Sequence, residues 1–148
     1  MVNNKKTVVY ARTSTKKQNY ELQLEAAKPF LKGNQGENLI FIVDHGTPAT
    51  SKPNGLQQLL DLIKKDQVDT LIIYKRDRLT RSEDEYLDIL KSIYANRIKV
   101  VLTAEESLPF NHDQKSGFLS ESLIIKVINM EKTHMSNRIK AALKSKQA

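Results

Sequence analysis

The apolar positions of this chain fall into short unbroken runs separated by stretches with a helical repeat. Residues 7–11 hold Val8, Val9 and Tyr10, a β-branched and aromatic run that predicts a first strand. Over residues 16–31, Tyr20, Leu22, Leu24, Ala26, Ala27, Phe30 and Leu31 recur at roughly helical spacing among Lys, Glu and Gln, which predicts a helix. Gly33 and Gly36 stop it. The run Leu39-Ile40-Phe41-Ile42-Val43 is apolar without alternation, as expected for a strand covered on both faces. Residues 44–54 are irregular, with Gly46, Thr47, Pro48, Ser51 and Pro53, and read as a surface loop of the length that usually carries function.

The alternation then repeats. A helix over residues 55–65 turns Leu56, Leu59, Leu60, Leu62 and Ile63 inward, and residues 70–74 form a third strand. Ser82 is placed to cap a helix over residues 82–96, with Glu83, Asp84 and Glu85 in its first turn, where negative charge suits the helix dipole. Residues 98–103 make a fourth strand. From residue 116 to about 146 no Gly or Pro follows Gly117, so one long helix is expected. Its first half is apolar nearly all round, with Leu123, Ile124, Ile125, Val127, Ile128 and Met130. Its second half is basic and thinly apolar, a pattern suited to packing against a second copy of the chain.

Strands alternating with helices imply an α/β fold: three layers, with a mainly parallel sheet of four or five strands flanked by helices. Residues 1–115 make the α/β body and residues 116–148 a long protruding helix that belongs to the same unit. In such sheets, sites lie beyond the carboxyl ends of the strands. The turn after Ala11, the loop at Asp44, the turn at Asp77 and Glu105-Glu106 should therefore share one rim.

Composition narrows the partners. The 148 residues carry a formal charge of +7, which points to an anionic partner, nucleic acid first. With no cysteine, disulfides, thiolate catalysis and cysteine-based zinc sites are excluded. No apolar run approaches the ~20 residues of a membrane span and the N-terminus has no secretory core, so a cytoplasmic location is expected. The histidines His45, His112 and His134 lack metal spacing, and no glycine-rich phosphate loop is present. Glu105-Glu106 and Asp77 could hold a magnesium, though no carboxylate pair has convincing spacing, and no small-molecule substrate is expected.

What remains at the rim is a hydroxyl among guanidinium groups. Arg12 precedes Ser14 by two residues; Arg78 and Arg81 follow the third strand, beside Asp77. Arginine grips phosphate through a planar fork, and phosphoryl transfer depends largely on positioning and on neutralising the non-bridging oxygens. Serine needs such help because its hydroxyl is barely ionised near neutral pH.

These residues resemble a known family. Tyr10-x-Arg12-x-Ser14-Thr15-x-x-Gln18, then Gln23, and Asp77-Arg78-Leu79-x-Arg81 are similar to the motifs of the serine recombinases, the resolvase/invertase and large serine integrase group. The resemblance runs from about residue 6 to 146. It implies a resolvase-like catalytic domain that cuts and rejoins DNA through a 5′-phosphoserine intermediate, without metal or cofactor. It further implies Ser14 as nucleophile, Arg12, Arg78 and Arg81 on the scissile phosphate, Asp77 and Gln23 in support, and Tyr10 in a positioning role. Glu131-Lys132-x-x-Met135-x-x-Arg138 resembles the family's E-R-x-x-I-x-x-R, with lysine in place of the first arginine. Glu131 would then reach toward the site and the long helix would form the dimer.

Two departures stand out. Thr47-Pro48 replaces the family's Ser-Gly, and either Lys52 or Pro53 falls where the family has a loop arginine. Lysine there keeps the charge and loses the bidentate fork. Gln18, Lys52, Glu131 and Arg138 complete the expected supporting or DNA-binding set. The expected partners are the DNA phosphate backbone and further copies of the chain, as a homodimer and as a tetramer in the synaptic complex. Family members continue into a DNA-binding domain, which is not expected within these residues. A non-catalytic, DNA-associated regulatory module on the same fold is the alternative, and Lys52-Pro53 is its support. A flavodoxin- or receiver-like domain would place acids or a flavin loop after the first strand, where this chain has arginine.

Overall fold

The computed structural model describes residues 5–13, 15, 18–31, 38–46, 54–80 and 82–147. Four parallel strands, β1 (Lys6–Arg12), β2 (Leu39–Asp44), β3 (Val68–Ile73) and β4 (Lys99–Leu102), form one sheet in the order β2-β1-β3-β4. The register sets Tyr10 of β1 between Ile42 of β2 and Ile73 of β3. All four carboxyl ends therefore open onto one rim. The direction of strand addition reverses between β1 and β3, which is where ligands bind in open α/β sheets.

The helices are α1 (Glu21–Ala27), α2 (Asn54–Lys64), α3 (Glu83–Ala95) and α4 (Gly117–Gln147); single 3-10 turns occupy Lys28–Phe30 and Arg76–Arg78. The period-two rule divides the sheet's apolar side chains between its faces. Val8, Tyr10, Leu71, Ile73 and Val100 face the larger core, with Leu56, Leu59 and Ile63 of α2, Tyr86, Ile89, Leu90 and Ile93 of α3, and Ile125 of α4. Val9 and Ile72 face the other way, against Ala27 and the half-buried Leu24 and Leu31. The three expected layers are present, and four strands lie among the described residues.

One helix start and the coverage of one strand differ from the sequence reading. The first helix begins at Glu21 rather than at residue 16, because polar side chains satisfy the preceding backbone locally. Gln18 Oε1 accepts from the Thr15 N–H at 3.3 Å, and Asn19 Oδ1 accepts from the Glu21 N–H at 2.8 Å. The second strand is not covered on both faces. It is an edge strand, and Phe41 is 50% exposed. The cap at Ser82 is as expected, its Oγ accepting from the Glu85 N–H at 3.3 Å.

Candidate nucleic-acid cleavage site

The rim is built from two halves that meet where β1 runs beside β3. In the first half, Tyr10 is buried at the end of β1 and its hydroxyl donates to Asp44 Oδ2 at 2.5 Å. Asp44 ends β2, and its two oxygens also accept the N–H groups of Gly55 (2.8 Å) and Leu56 (2.9 Å) in the first turn of α2. One carboxylate thus caps a helix, ties the end of β2 to the start of α2 and orients a tyrosine. Gly55 is required by this closeness, since a Cβ there would lie 2.6 Å from Asp44 Oδ1. Burial, followed by the hydrogen bond to Asp44 and the carboxylate's charge, pushes the Tyr10 phenol well above its ordinary range. Tyr10 is consequently a fixed hydrogen-bond donor at any physiological pH, not a base.

Arg12 follows two residues later and is also buried. The side-chain amide of Gln23 in α1 grips its main chain at both ends: Oε1 accepts the Arg12 N–H at 3.2 Å, and Nε2 donates to the Arg12 carbonyl at 2.9 Å. The guanidinium donates to the Leu79 carbonyl at 3.4 Å, reaching across to the turn after β3. The ends of β1 and β3, whose meeting the sequence suggested, are joined by this contact.

The second half is the turn Arg76–Arg78, and it is held by ions. Arg76 is 3% exposed and Glu121 of α4 is fully buried. Arg76 donates through Nε to Glu121 Oε1 (2.6 Å) and through a terminal nitrogen to Oε2 (3.1 Å), a bidentate fork. Arg76 also donates to the Pro109 carbonyl at 3.3 Å, and Glu121 Oε2 also accepts the Asn111 N–H at 3.1 Å. Asp77 is paired through Oδ2 with Lys132 of α4. Its Oδ1 and Arg78 Nε are buried with no hydrogen-bond partner among the described residues. Lys75, at the start of the turn, bonds to Glu106 at 2.8 Å, which raises the lysine's pKa and lowers the glutamate's.

Between this turn and α4 lies a cleft of about 660 Å³. Its walls combine Lys75, Asp77, Glu131 and Lys132 with apolar Leu108, Leu123, Val127 and Met135. Glu131 borders the cleft and is exposed, while the α4 side chain that bonds to Asp77 is its neighbour Lys132. Arg138 lies six residues further along the exposed part of α4, and Gln18 touches the backbone of Thr15. Ser14, Arg81 and Lys52 lie outside the described residues. No group of three or more His, Asp or Glu able to hold a metal occurs among the described residues, and no helix among them is long and apolar enough to cross a membrane.

Sequence reasoning placed Asp44 on the rim without a role and gave none to Glu121 or Arg76, the three residues that organise it. Asp44 was legible as a lone acid closing an apolar strand, eleven residues before a glycine at a helix start. Glu121 was legible as an acid on an otherwise apolar helix face. Arg76 carried no signal that distinguished it from Arg78, since both sit in the same basic turn.

Comparison with known proteins agrees with this architecture. The family model described as the resolvase N-terminal domain matches residues 7–148. The N-terminal catalytic domain of TP901-1 integrase superposes with a TM-score of 0.62 at 23% identity, covering 89% of this chain and 99% of that one. A resolvase family site-specific recombinase from Streptococcus pneumoniae gives 0.59 at 20% identity, covering 96% and 99%. The C-terminal catalytic domain of ISC1926 TnpA, an IS607-like serine recombinase, gives 0.58 at 23% identity, covering 94% and 99%. At these identities the superpositions speak for the fold, while the family match spans nearly the whole chain. The chain belongs to the resolvase family, as the catalytic domain of a serine recombinase, a DNA recombinase.

Proposed function

We propose that this domain cleaves and rejoins DNA through Ser14, without metal or cofactor. In cleavage the Ser14 hydroxyl oxygen attacks the scissile phosphorus, and the bond from phosphorus to the 3′ oxygen breaks. The serine proton leaves to solvent or a neighbouring base, and the departing 3′ oxygen gains a proton to become a free hydroxyl. The 5′ end remains as a phosphoserine ester. Rejoining reverses these steps with a new 3′-hydroxyl, and the phosphoester bond energy is conserved.

The observation that carries this reading is the Arg12 contact across β1 and β3. It places the strand end that leads into Ser14 against the turn that carries Asp77 and Arg78. Arg78, Arg81 and Arg12 serve the phosphate, each by hydrogen bonding or by its field, and stabilise the charge on the non-bridging oxygens. Asp77 orients this arginine group or supplies a proton to the leaving oxygen. Gln23 and Tyr10 position the end of β1, through the Arg12 backbone and through Asp44. Gln18 supports the turn at Thr15. Lys52, Glu131 and Arg138 are assigned to flanking phosphates or to support of the site.

The enzyme acts as a dimer, and as a tetramer during strand exchange, through α4. Support comes from exposed apolar side chains along that helix, Leu119, Leu123, Val127 and Met130, each more than half exposed. The exposed basic part beyond Met130 suits a phosphate backbone. A cytoplasmic location follows from a DNA substrate. To test the reading, the recombinase is incubated with DNA carrying its crossover site and resolved on a denaturing gel. Protein–DNA adducts should form, and Ser14→Ala should abolish them while the circular dichroism spectrum is unchanged. Adducts that persist in Ser14→Ala would exclude serine attack at this position.

A further inference from the structure

Thr13, which precedes the proposed nucleophile in sequence, and His45, which bonds to it, have no role in the cleavage chemistry. Thr13 is 2% exposed, and its hydroxyl accepts the Gly46 N–H at 3.0 Å. The same oxygen lies 2.8 Å from Nδ1 of His45. With the ring proton on Nε2, Nδ1 takes the threonine proton, so the hydroxyl is satisfied on both sides. The Tyr20 ring packs edge-on against His45, its centroid 5.0 Å away, and ties the ring to the segment entering α1. A backbone bond adds to this set, the Thr13 N–H donating to the Asp44 carbonyl at 3.0 Å.

The residue after Thr13 is Ser14. On the far side of Ser14, Thr15 is held by Gln18 through both a side-chain and a main-chain contact. Both sequence neighbours of Ser14 are therefore anchored, and the anchor at Thr13 comes from His45 and Gly46, just after β2. We propose that His45, acting through the Thr13 hydroxyl, is a positioning residue that sets the turn presenting Ser14. This rests on the reading of Ser14 as nucleophile. A hydroxyl that must approach phosphorus in line loses rate when its turn is loosened by about an ångström, even if DNA binds equally well. His45 is exposed, so its role is the hydrogen bond rather than core packing.

The chain contains no cysteine, so Ser14→Cys introduces a single thiol whose alkylation reports on the turn without DNA. In that background, Thr13→Val and His45→Ala should raise the rate of iodoacetamide labelling about fivefold, the equivalent of one hydrogen bond. Thr13→Ser and His45→Asn, which keep a polar atom in place, should label like the parent. Unchanged rates in Thr13→Val and His45→Ala, or equal shifts in all four variants, would overturn the proposal. With Ser14 restored, single-turnover adduct formation should fall about fivefold in the same two variants at unchanged DNA affinity, and recover in the conservative pair. Affinity and rate falling together would also overturn it. Failure of Ser14-dependent adducts in the parent would count against the recombinase reading alone, because labelling still reports on the turn.

Discussion

The two halves of the rim are fixed by different physics. Around β1 and β2, side chains bond to backbone: Asp44 to the α2 N–H groups, Gln23 to both ends of Arg12, Thr13 to Gly46. Those partners belong to β1, to the first turn of α2 and to the residues just after β2. Around β3 and α4, side chains bond to side chains of opposite charge: Arg76 to Glu121 and Asp77 to Lys132. The first pair is buried deeply within the body, whereas Lys132 is half exposed on a stretch of α4 that leaves it. The β1–β2 half is a scaffold. The β3–α4 half combines one buried ion pair with one exposed contact to the stretch of α4 that leaves the body.

Breaking the buried ion pair tests this contrast most severely. Glu121→Ala leaves the Arg76 guanidinium uncompensated at 3% exposure and should cost about 3–5 kcal/mol in chemical denaturation. A much smaller loss would mean that α4 is anchored by its apolar side chains alone. Asp44→Ala is the corresponding break in the scaffold half. It removes a helix cap and orphans the buried Tyr10 hydroxyl, so about 2–4 kcal/mol is expected, with faster amide exchange at Gly55 and Leu56. Protection at those amides equal to the parent's would show that Asp44 is not what caps α2.

The smallest effect sharpens the comparison most. Lys132→Ala should change stability by less than ~1 kcal/mol, because an exposed ion pair recovers little beyond its desolvation and side-chain entropy. That small difference should shrink further as salt is raised. A loss as large as that of Glu121→Ala would place Lys132 in the fold's core energetics and remove the distinction between the buried and the exposed pair.

Much of this molecule is legible without coordinates. Runs of β-branched residues alternating with helical repeats dictate a parallel sheet, since consecutive parallel strands need a crossover that returns over a face. Parallel strands in turn place Tyr10, Arg12, Asp44, Asp77 and Arg78 on one rim. The helix boundary near residue 20 was not legible, because Gln18 and Asn19 satisfy the backbone locally where periodicity suggested helix. Nor was the exposure of Phe41, since strand order, not strand composition, decides which strand is an edge.

Sequence by itself determined the alternation of elements, the basic character and the residue types offered to a phosphate, because these follow from local periodicity and from charge. Tertiary structure alone decided the pairings. Whether Arg76 is buried or exposed depends on a glutamate 45 positions away, and the two become partners only when α4 lies across the turn after β3. Asp44 becomes a cap only when α2 begins within 3 Å of it. Such contacts are set by distances in the folded chain, and spacing along a sequence does not encode them.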